Sequence, residues 1–207
     1  MIIIPAYNEE RVSEVVRVAE RFDEVVVVDD GSREKVSGGL RHLINMGKGC
    51  AMKTGVEYAL SKGADKIVFI DGDLQHDPEQ IPLFLKALDD YEVVLGFRSF
   101  NKKMPMVLRM GNYFLTKTCQ LLFGVKVRDL LCGFRAFRAS AYRDIEWLSN
   151  GYEVETEMIK NIGLKKKRFC EIPLNTTYQD KYKGTGVIDG LNIFMKMLTW
   201  RVGAWLS

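Results

Sequence analysis

Four short runs rich in β-branched residues, Ile2–Pro5, Glu24–Asp29, Lys66–Ile70 and Glu92–Gly96, alternate with three longer segments of helical pattern, Glu9–Arg21, Lys48–Lys62 and Pro78–Asp90. Such alternation predicts βαβ units, hence an α/β fold with a mostly parallel central sheet flanked by helices. Gly47 stands just before the second helical segment, and Asp77-Pro78 supplies an N-cap and a first-turn proline for the third. Beyond Arg98 the pattern changes to helical segments at Pro105–Phe123, Ala139–Leu148 and Tyr152–Ile162. A strand near Phe169–Leu174 and a terminal helix from Asp189 follow. With 207 residues, 47% of them hydrophobic, the chain can fill one core. One domain is expected over 1–188, its half 99–188 completing a site begun in 1–98, with an amphipathic helix at 189–207.

Thirty basic against 27 acidic residues leave a net charge of +3, too mild to mark a nucleic-acid binder. Cys50, Cys119, Cys132 and Cys170 are scattered without a C-x-x-C pair, which points to reduced structural thiols. The first residues run directly into a strand, with no basic, apolar or cleavable leader before them, and no stretch has about 20 uninterrupted apolar residues. The expectation is a cytoplasmic protein, meeting any membrane only from its surface.

In open α/β sheets ligands gather beyond the carboxyl ends of the strands. Here those ends read Pro5-Ala6-Tyr7-Asn8-Glu9, Asp29-Asp30-Gly31-Ser32 and Asp71-Gly72-Asp73-Leu74-Gln75-His76. Alternate residues of extended chain share a side, so Asp71, Asp73 and Gln75 can present two carboxylates and an amide oxygen together. Hard oxygen donors of this kind suit Mg²⁺ or Mn²⁺. An isolated D-x-D is usually a turn or cap; its place after a strand, beside acids at two other strand ends, favours the metal reading. Tyr7 offers a face for stacking on a base, and Glu9 and Asp30 offer acceptors for base or ribose, although a loop aromatic can simply pack. In Asn45-Met46-Gly47-Lys48-Gly49, backbone amides open onto a helix N-terminus beside a lysine, which suits phosphate. A plain helix entry with an exposed Lys48 is the alternative. His42 and His76 are too few for a histidine metal site, and His76 is expected in a supporting or capping role.

Taken in order, P-A-Y-N-E, D-D-G-S, N-M-G-K-G, D-G-D-L-Q-H-D-P-E, G-F-R and D-x-x-x-G-F-R resemble the polyprenyl-phosphate hexose synthases of family 2 glycosyltransferases, the dolichol-phosphate mannose synthase group. The resemblance is strong over 1–138 and loose beyond. It implies a GT-A (nucleotide-diphospho-sugar transferase) fold, a UDP- or GDP-hexose donor, a polyprenyl phosphate acceptor and inversion at the sugar. It further implies that Pro5, Tyr7, Glu9 and Asp30 hold the nucleoside, and that Asp71, Gly72, Asp73 and Gln75 hold metal and diphosphate. By the same resemblance Arg98 faces phosphate, and Arg109 and Arg135 neutralise the acceptor phosphate. Each arginine has the ordinary alternative of an ion pair or a surface position.

A phosphate monoester is nucleophilic at neutral pH without a strong base, whereas a hydroxyl acceptor needs one. Asp129, Glu153 and Glu155 are available for that rival chemistry, a soluble hydroxyl-acceptor transferase, although caps and solvated faces are the commoner fate of such acids. The Q-x-x-R-W motif of processive polysaccharide synthases is absent. So are the glycine-rich first loop of nucleotidyltransferases and G-x-G-x-x-G. The segment from Tyr178 to Gly186 resembles the family's acceptor loop, with Lys183 and Thr185 where arginine and serine are usual. The helix at 191–206 is apolar over most of its girth and carries Lys196, Trp200, Arg201 and Trp205, so it suits either a membrane interface or an oligomer partner. The run Lys165-Lys166-Lys167-Arg168 can attract anionic lipid or simply be solvated.

Overall fold

The computed structural model describes residues 1–36, 38–98, 106–177 and 186–206, with side chains to residue 203. Among the described residues, seven strands and seven α-helices follow in the order β1 (Ile2–Ala6), α1 (Val12–Ala19), β2 (Val25–Asp29), β3 (Leu40–Arg41), α2 (Lys48–Ser61), β4 (Lys66–Phe69) and α3 (Ile81–Ala87). After them come β5 (Val93–Arg98), α4 (Met106–Phe123), β6 (Arg135–Arg138), α5 (Tyr142–Ile145), α6 (Val154–Leu164), β7 (Phe169–Leu174) and α7 (Val187–Leu206). The strands form one sheet in the order β3-β2-β1-β4-β6-β5-β7. Every pairing is parallel except those of β6, which runs antiparallel between β4 and β5. The mostly parallel sheet read from the sequence is therefore present, and it has one reversed strand.

Alternation along the strands sorts the core into two layers. Ile3, Val26, Val28, Ile67 and Phe69 point to one face, against Ala51, Met52 and Val56 of α2 and the inner residues of α4 and α6. Ile2, Ile4, Val27, Val68 and Ile70 point to the other, against Val12 and Val15 of α1 and Ile81 and Phe84 of α3. Strands covered on both faces are apolar at every position, which is why these runs are continuous rather than alternating. Each such side chain taken from water contributes on the order of 1.5–3 kcal/mol. Asp77 caps the turn before α3 as expected, its carboxylate accepting from the Glu79 amide at 3.0 Å, with Pro78 next in line.

Three expectations shift. Helix α1 is shorter than Glu9–Arg21 because Tyr7 to Arg11 form the loop that closes the site. The segment 139–148 holds only a 3₁₀ turn and the four-residue α5; the chain then extends so that Trp147 can bury its ring and donate to the Gly49 carbonyl at 2.9 Å. Strands β3 and β6 were not anticipated. Helix α7 docks on α4, Ile193 and Met197 entering the first core layer and Phe194 meeting Phe114 at 5.4 Å. Trp200 turns toward α6, with the Lys160 ammonium 4.8 Å from its ring centre. In the basic run, Lys167 pairs with Glu92 and Asp144 and Arg168 lies over Tyr91, so two of its four charges are engaged at the surface. All four cysteines are free thiols, and burial pushes Cys119 and Cys132 up to about 12, leaving them protonated and inert. Among the described residues no helix is long and apolar enough to cross a membrane.

Candidate active site

β1 has β2 on one side and β4 on the other, so the strand order reverses direction there, and a crevice opens beyond their carboxyl ends. A cavity of about 270 Å³ lies in it, lined by the β1 loop (Pro5, Tyr7, Glu9), Asp30 after β2 and Asp71 to Gln75 after β4. Lys48 and Arg98 also line it, as do Gly133, Tyr152 and Glu155. Pro5, Tyr7, Glu9, Asp30, Lys48, Asp71, Gly72, Asp73, Gln75 and Arg98 are thus brought together from four strand ends and one helix start.

Asp71, Asp73 and Gln75 converge, but not by strand alternation. The chain leaves β4 at Phe69, and Asp73 accepts from the Gln75 amide at 2.9 Å in a tight turn. Leu74 sits in the left-handed region at φ 59°, a strained position whose side chain packs onto the second core layer. Burial, and after it the neighbouring Asp71 charge, raises the Asp73 carboxyl to about 6. Burial also opposes the Asp71 charge, but Lys48 alongside holds that carboxyl below its ordinary value.

Lys48 is not the exposed residue of a plain helix entry. Its ammonium stands 2.6 Å from Asp71 Oδ1 and 2.8 Å from Glu155 Oε1, and despite burial those two carboxylates keep it charged. Gly133 makes this approach possible: a Cβ there would collide with the Asp71 carboxylate and lie 2.9 Å from the lysine nitrogen. The Asp30 carboxylate is already engaged, accepting from the Met46 amide at 2.9 Å and the Gly47 amide at 2.8 Å and meeting His42 Nδ1 at 2.6 Å. It shapes the loop ahead of α2, leaving about one of its four acceptor positions for a ligand. His76 also lines the cavity; burial lowers its imidazole to about 4, so it is neutral near pH 7, with Nε2 3.9 Å from the Cys132 sulfur.

Two of the expected arginines lie elsewhere. Arg135 is 1% exposed and donates to the carbonyls of Leu130, Cys132 and Glu155, so its guanidinium locks β6 to the start of α6 instead of meeting a phosphate. Arg109 is exposed on α4 and lines neither this cavity nor the second one. Arg98 is buried and bidentate on Asp129, Nε to Oδ2 at 2.7 Å and Nη2 to Oδ1 at 2.9 Å. Asp129 is therefore neither a cap nor a solvated acid, and the same is true of Glu155, which is 3% exposed. Arg98 and Leu131 also border a second cavity of about 440 Å³, lined between α4 and α7 by apolar residues including Leu108, Phe114, Leu115, Leu191 and Phe194. The expected acceptor loop, except Gly186, lies outside the described residues, as does the Trp205 side chain. Gly133 stands in the D-x-x-x-G-F-R motif and His42 was set aside only as a metal ligand, so neither position here was anticipated, and Tyr152 had no signal in sequence that set it apart.

Comparison with known proteins places this crevice in context. The family model described as glycosyl transferase family 2 matches residues 1–146. A UDP-N-acetylglucosamine–dolichyl-phosphate N-acetylglucosaminyltransferase of Methanococcus voltae is 30% identical over 98% of this chain and 96% of its own. An undecaprenyl-phosphate mannosyltransferase of Micrococcus luteus is 28% identical over 92% of this chain and 87% of its own. Among solved structures, glucosyl-3-phosphoglycerate synthase from Mycobacterium tuberculosis in complex with Mg²⁺ and UDP superposes with a TM-score of 0.73 at 21% identity, covering 98% of this chain and 78% of its own. That likeness shows the shared fold.

Proposed function

The chain belongs to glycosyl transferase family 2 and is a glycosyltransferase, and from that premise we propose that it moves a hexose from a UDP- or GDP-sugar to a polyprenyl phosphate. The observation that carries this reading is the pair of adjoining cavities. One is polar and floored by Asp71 and Asp73, the other is apolar, and Arg98 stands in the wall of both. A nucleotide-sugar suits the first and an isoprenoid tail the second, which sets the acceptor's phosphate beside a guanidinium. The relatives named for transfer to dolichyl and undecaprenyl phosphate support the same acceptor class.

In this reading Tyr7 stacks on the base, with Pro5 and Glu9 around the nucleoside and the remaining acceptor position of Asp30 toward it. Asp71, Asp73 and Gln75 present oxygen donors that fit a hard divalent cation, and the repulsion between the two acids is what such a cation relieves. Bound Mg²⁺ or Mn²⁺ would supply Lewis-acid stabilisation to the departing nucleoside diphosphate. Lys48 keeps Asp71 in place, and Arg98, fixed by Asp129, holds the acceptor phosphate. An oxygen of that phosphate attacks the anomeric carbon as the bond from that carbon to the diphosphate breaks, which inverts the centre. No protein base is required, because the second pKa of a phosphate monoester is about 6.

A lipid surface fits the outer faces of α4 and α7. Met106, Met110 and Leu121 on one helix and Val187, Ile188, Leu191 and Met195 on the other are exposed. We place the enzyme peripherally on a membrane, at its cytosolic face.

The test is transfer from UDP- and GDP-hexoses to polyprenyl phosphate in vesicles, with Mn²⁺, with Mg²⁺ and with EDTA. Metal-dependent transfer to the lipid is expected, and transfer only to soluble hydroxyl acceptors would overturn the lipid reading. Gly111 borders the apolar cavity with open space beside it. Gly111→Phe should fill that space and raise KM for the lipid phosphate about tenfold, the cost of expelling one or two buried methylenes, while donor hydrolysis is unchanged. Gly133→Ala should do the reverse. It displaces Asp71 and weakens metal-dependent UDP or GDP binding by tenfold or more in calorimetry, with the circular dichroism spectrum unaltered.

A further inference from the structure

Glu155 occupies an unusual position for an acid. It lies in the first turn of α6, is 3% exposed, and lines the polar cavity across a single ammonium from Asp71. Lys48 takes one of its oxygens at 2.8 Å, whereas Oε2 is buried without any hydrogen-bond partner. A buried carboxylate oxygen left unmatched is costly, and such oxygens persist where a ligand supplies the missing donor. The side chain is also held still: Arg135 donates to the Glu155 carbonyl, fixing the helix start, and Lys48 fixes the carboxylate. Tyr152, three residues earlier and ahead of the helix, lines the same cavity.

We infer that Glu155 is a specificity-determining residue whose free oxygen accepts a hydrogen bond from a hydroxyl of the transferred hexose. The inference rests on the polar cavity being the donor site. A diphosphate held at Asp71 and Asp73 brings its sugar next to the group that faces Asp71 across Lys48, and that group is Glu155. Its oxygens can only accept while ionised, and a hexose brings hydroxyl donors. The partner is therefore a neutral sugar carrying a hydroxyl at the position that meets Oε2. A site arranged in this way rejects an analogue lacking that hydroxyl, because the buried oxygen is then stranded again.

The experiment uses the full chain, the nucleotide-hexose that turns over best, and its 3-, 4- and 6-deoxy counterparts, with free UDP or GDP as the sugarless control. For wild type, kcat/KM should fall about 10- to 100-fold for one deoxy donor, the size expected for a hydrogen bond to a charged acceptor. In Glu155→Gln that ratio should move to within about threefold of unity, while affinity for the nucleoside diphosphate stays within about threefold of wild type. Glu155→Asp, which retains the charge, should keep part of the discrimination. A purely structural or charge-balancing role predicts instead that Glu155→Gln weakens diphosphate binding as much as donor turnover and leaves the deoxy ratio standing. Equal loss of kcat for all donors would make Glu155 a base. Either result overturns the inference, as does a wild type that discriminates against no deoxy donor, which needs no variant to fold. If wild type binds neither UDP nor GDP, the donor-site reading falls and this one with it; normal nucleotide binding without sugar discrimination sinks this one alone.

Discussion

Replacing Asp73 by Asn is expected to reduce metal-dependent transfer to lipid phosphate by about three orders of magnitude while the variant melts at the same temperature as wild type or higher. The side chain has two opposed effects. For catalysis, its ionised oxygen is one of two acidic donors on the cavity floor, and Lewis-acid help to a leaving diphosphate is worth several kcal/mol, each 1.36 kcal/mol being a factor of ten. For stability, the same ionised oxygen is partly buried beside the Asp71 charge, an arrangement that opposes folding when no cation is present. Asparagine keeps the oxygen that accepts from the Gln75 amide, so the turn survives while the repulsion is removed. Transfer assays with saturating Mn²⁺, together with thermal melts in EDTA, check both halves. A non-catalytic nucleotide-binding module would lose nothing measurable, and a merely structural Asp73 would lower the melting temperature along with the activity.

Strand ends were legible from local signals because a parallel strand buried on both faces must be apolar, and it must turn polar where it meets the ligand crevice. Ile2 to Ala6, Val25 to Asp29 and Lys66 to Phe69 each follow that rule, so Tyr7, Asp30, Asp71 and Asp73 stood out. β6 did not, because Arg135 and Arg138 give it a charged, surface-like composition. Its interior arginine is tolerated only because three carbonyls satisfy the guanidinium, and the Glu155 one comes from 20 residues away. The role expected of Arg135 failed for the same reason, since a motif shows which residue is present and not which acceptors reach it. Lys48, Asp71 and Glu155 likewise meet only through the fold, from α2, the end of β4 and α6. Even the turn that brings Asp71, Asp73 and Gln75 to one cavity holds a left-handed Leu74, which no spacing argument contains.

Asp129→Asn should be the most destabilising single-atom exchange near the site, lowering stability by about 3–5 kcal/mol, the usual result of stranding one member of a buried ion pair. For a chain of this size that corresponds to a fall in melting temperature of about 6–20 °C. Asp129 is a hub: its carboxylate accepts from the Arg98 backbone amide at 3.1 Å, from the Arg98 guanidinium twice, from Asn112 at 2.8 Å and from the Leu131 amide at 3.2 Å. It therefore ties the end of β5 to α4 and to the turn before β6, and these are the segments that border both cavities. Burial alone would raise its pKa, but Arg98 and the surrounding donors hold it below the ordinary carboxylate value. A depressed carboxyl stabilises the fold above its unfolded pKa of about 3.9 and loses that contribution as pH falls through the lower folded value. Urea unfolding of wild type and variant should thus differ fully at pH 7 and progressively less below pH 4. A stability gap that stays constant down to pH 2.5 would show that packing, not the ion pair, is what the substitution removes. Because Arg98 loses its anchor, transfer to lipid phosphate should fall as well, with KM for the lipid rising more than KM for the donor. That split would place the Arg98 guanidinium on the acceptor side of the junction.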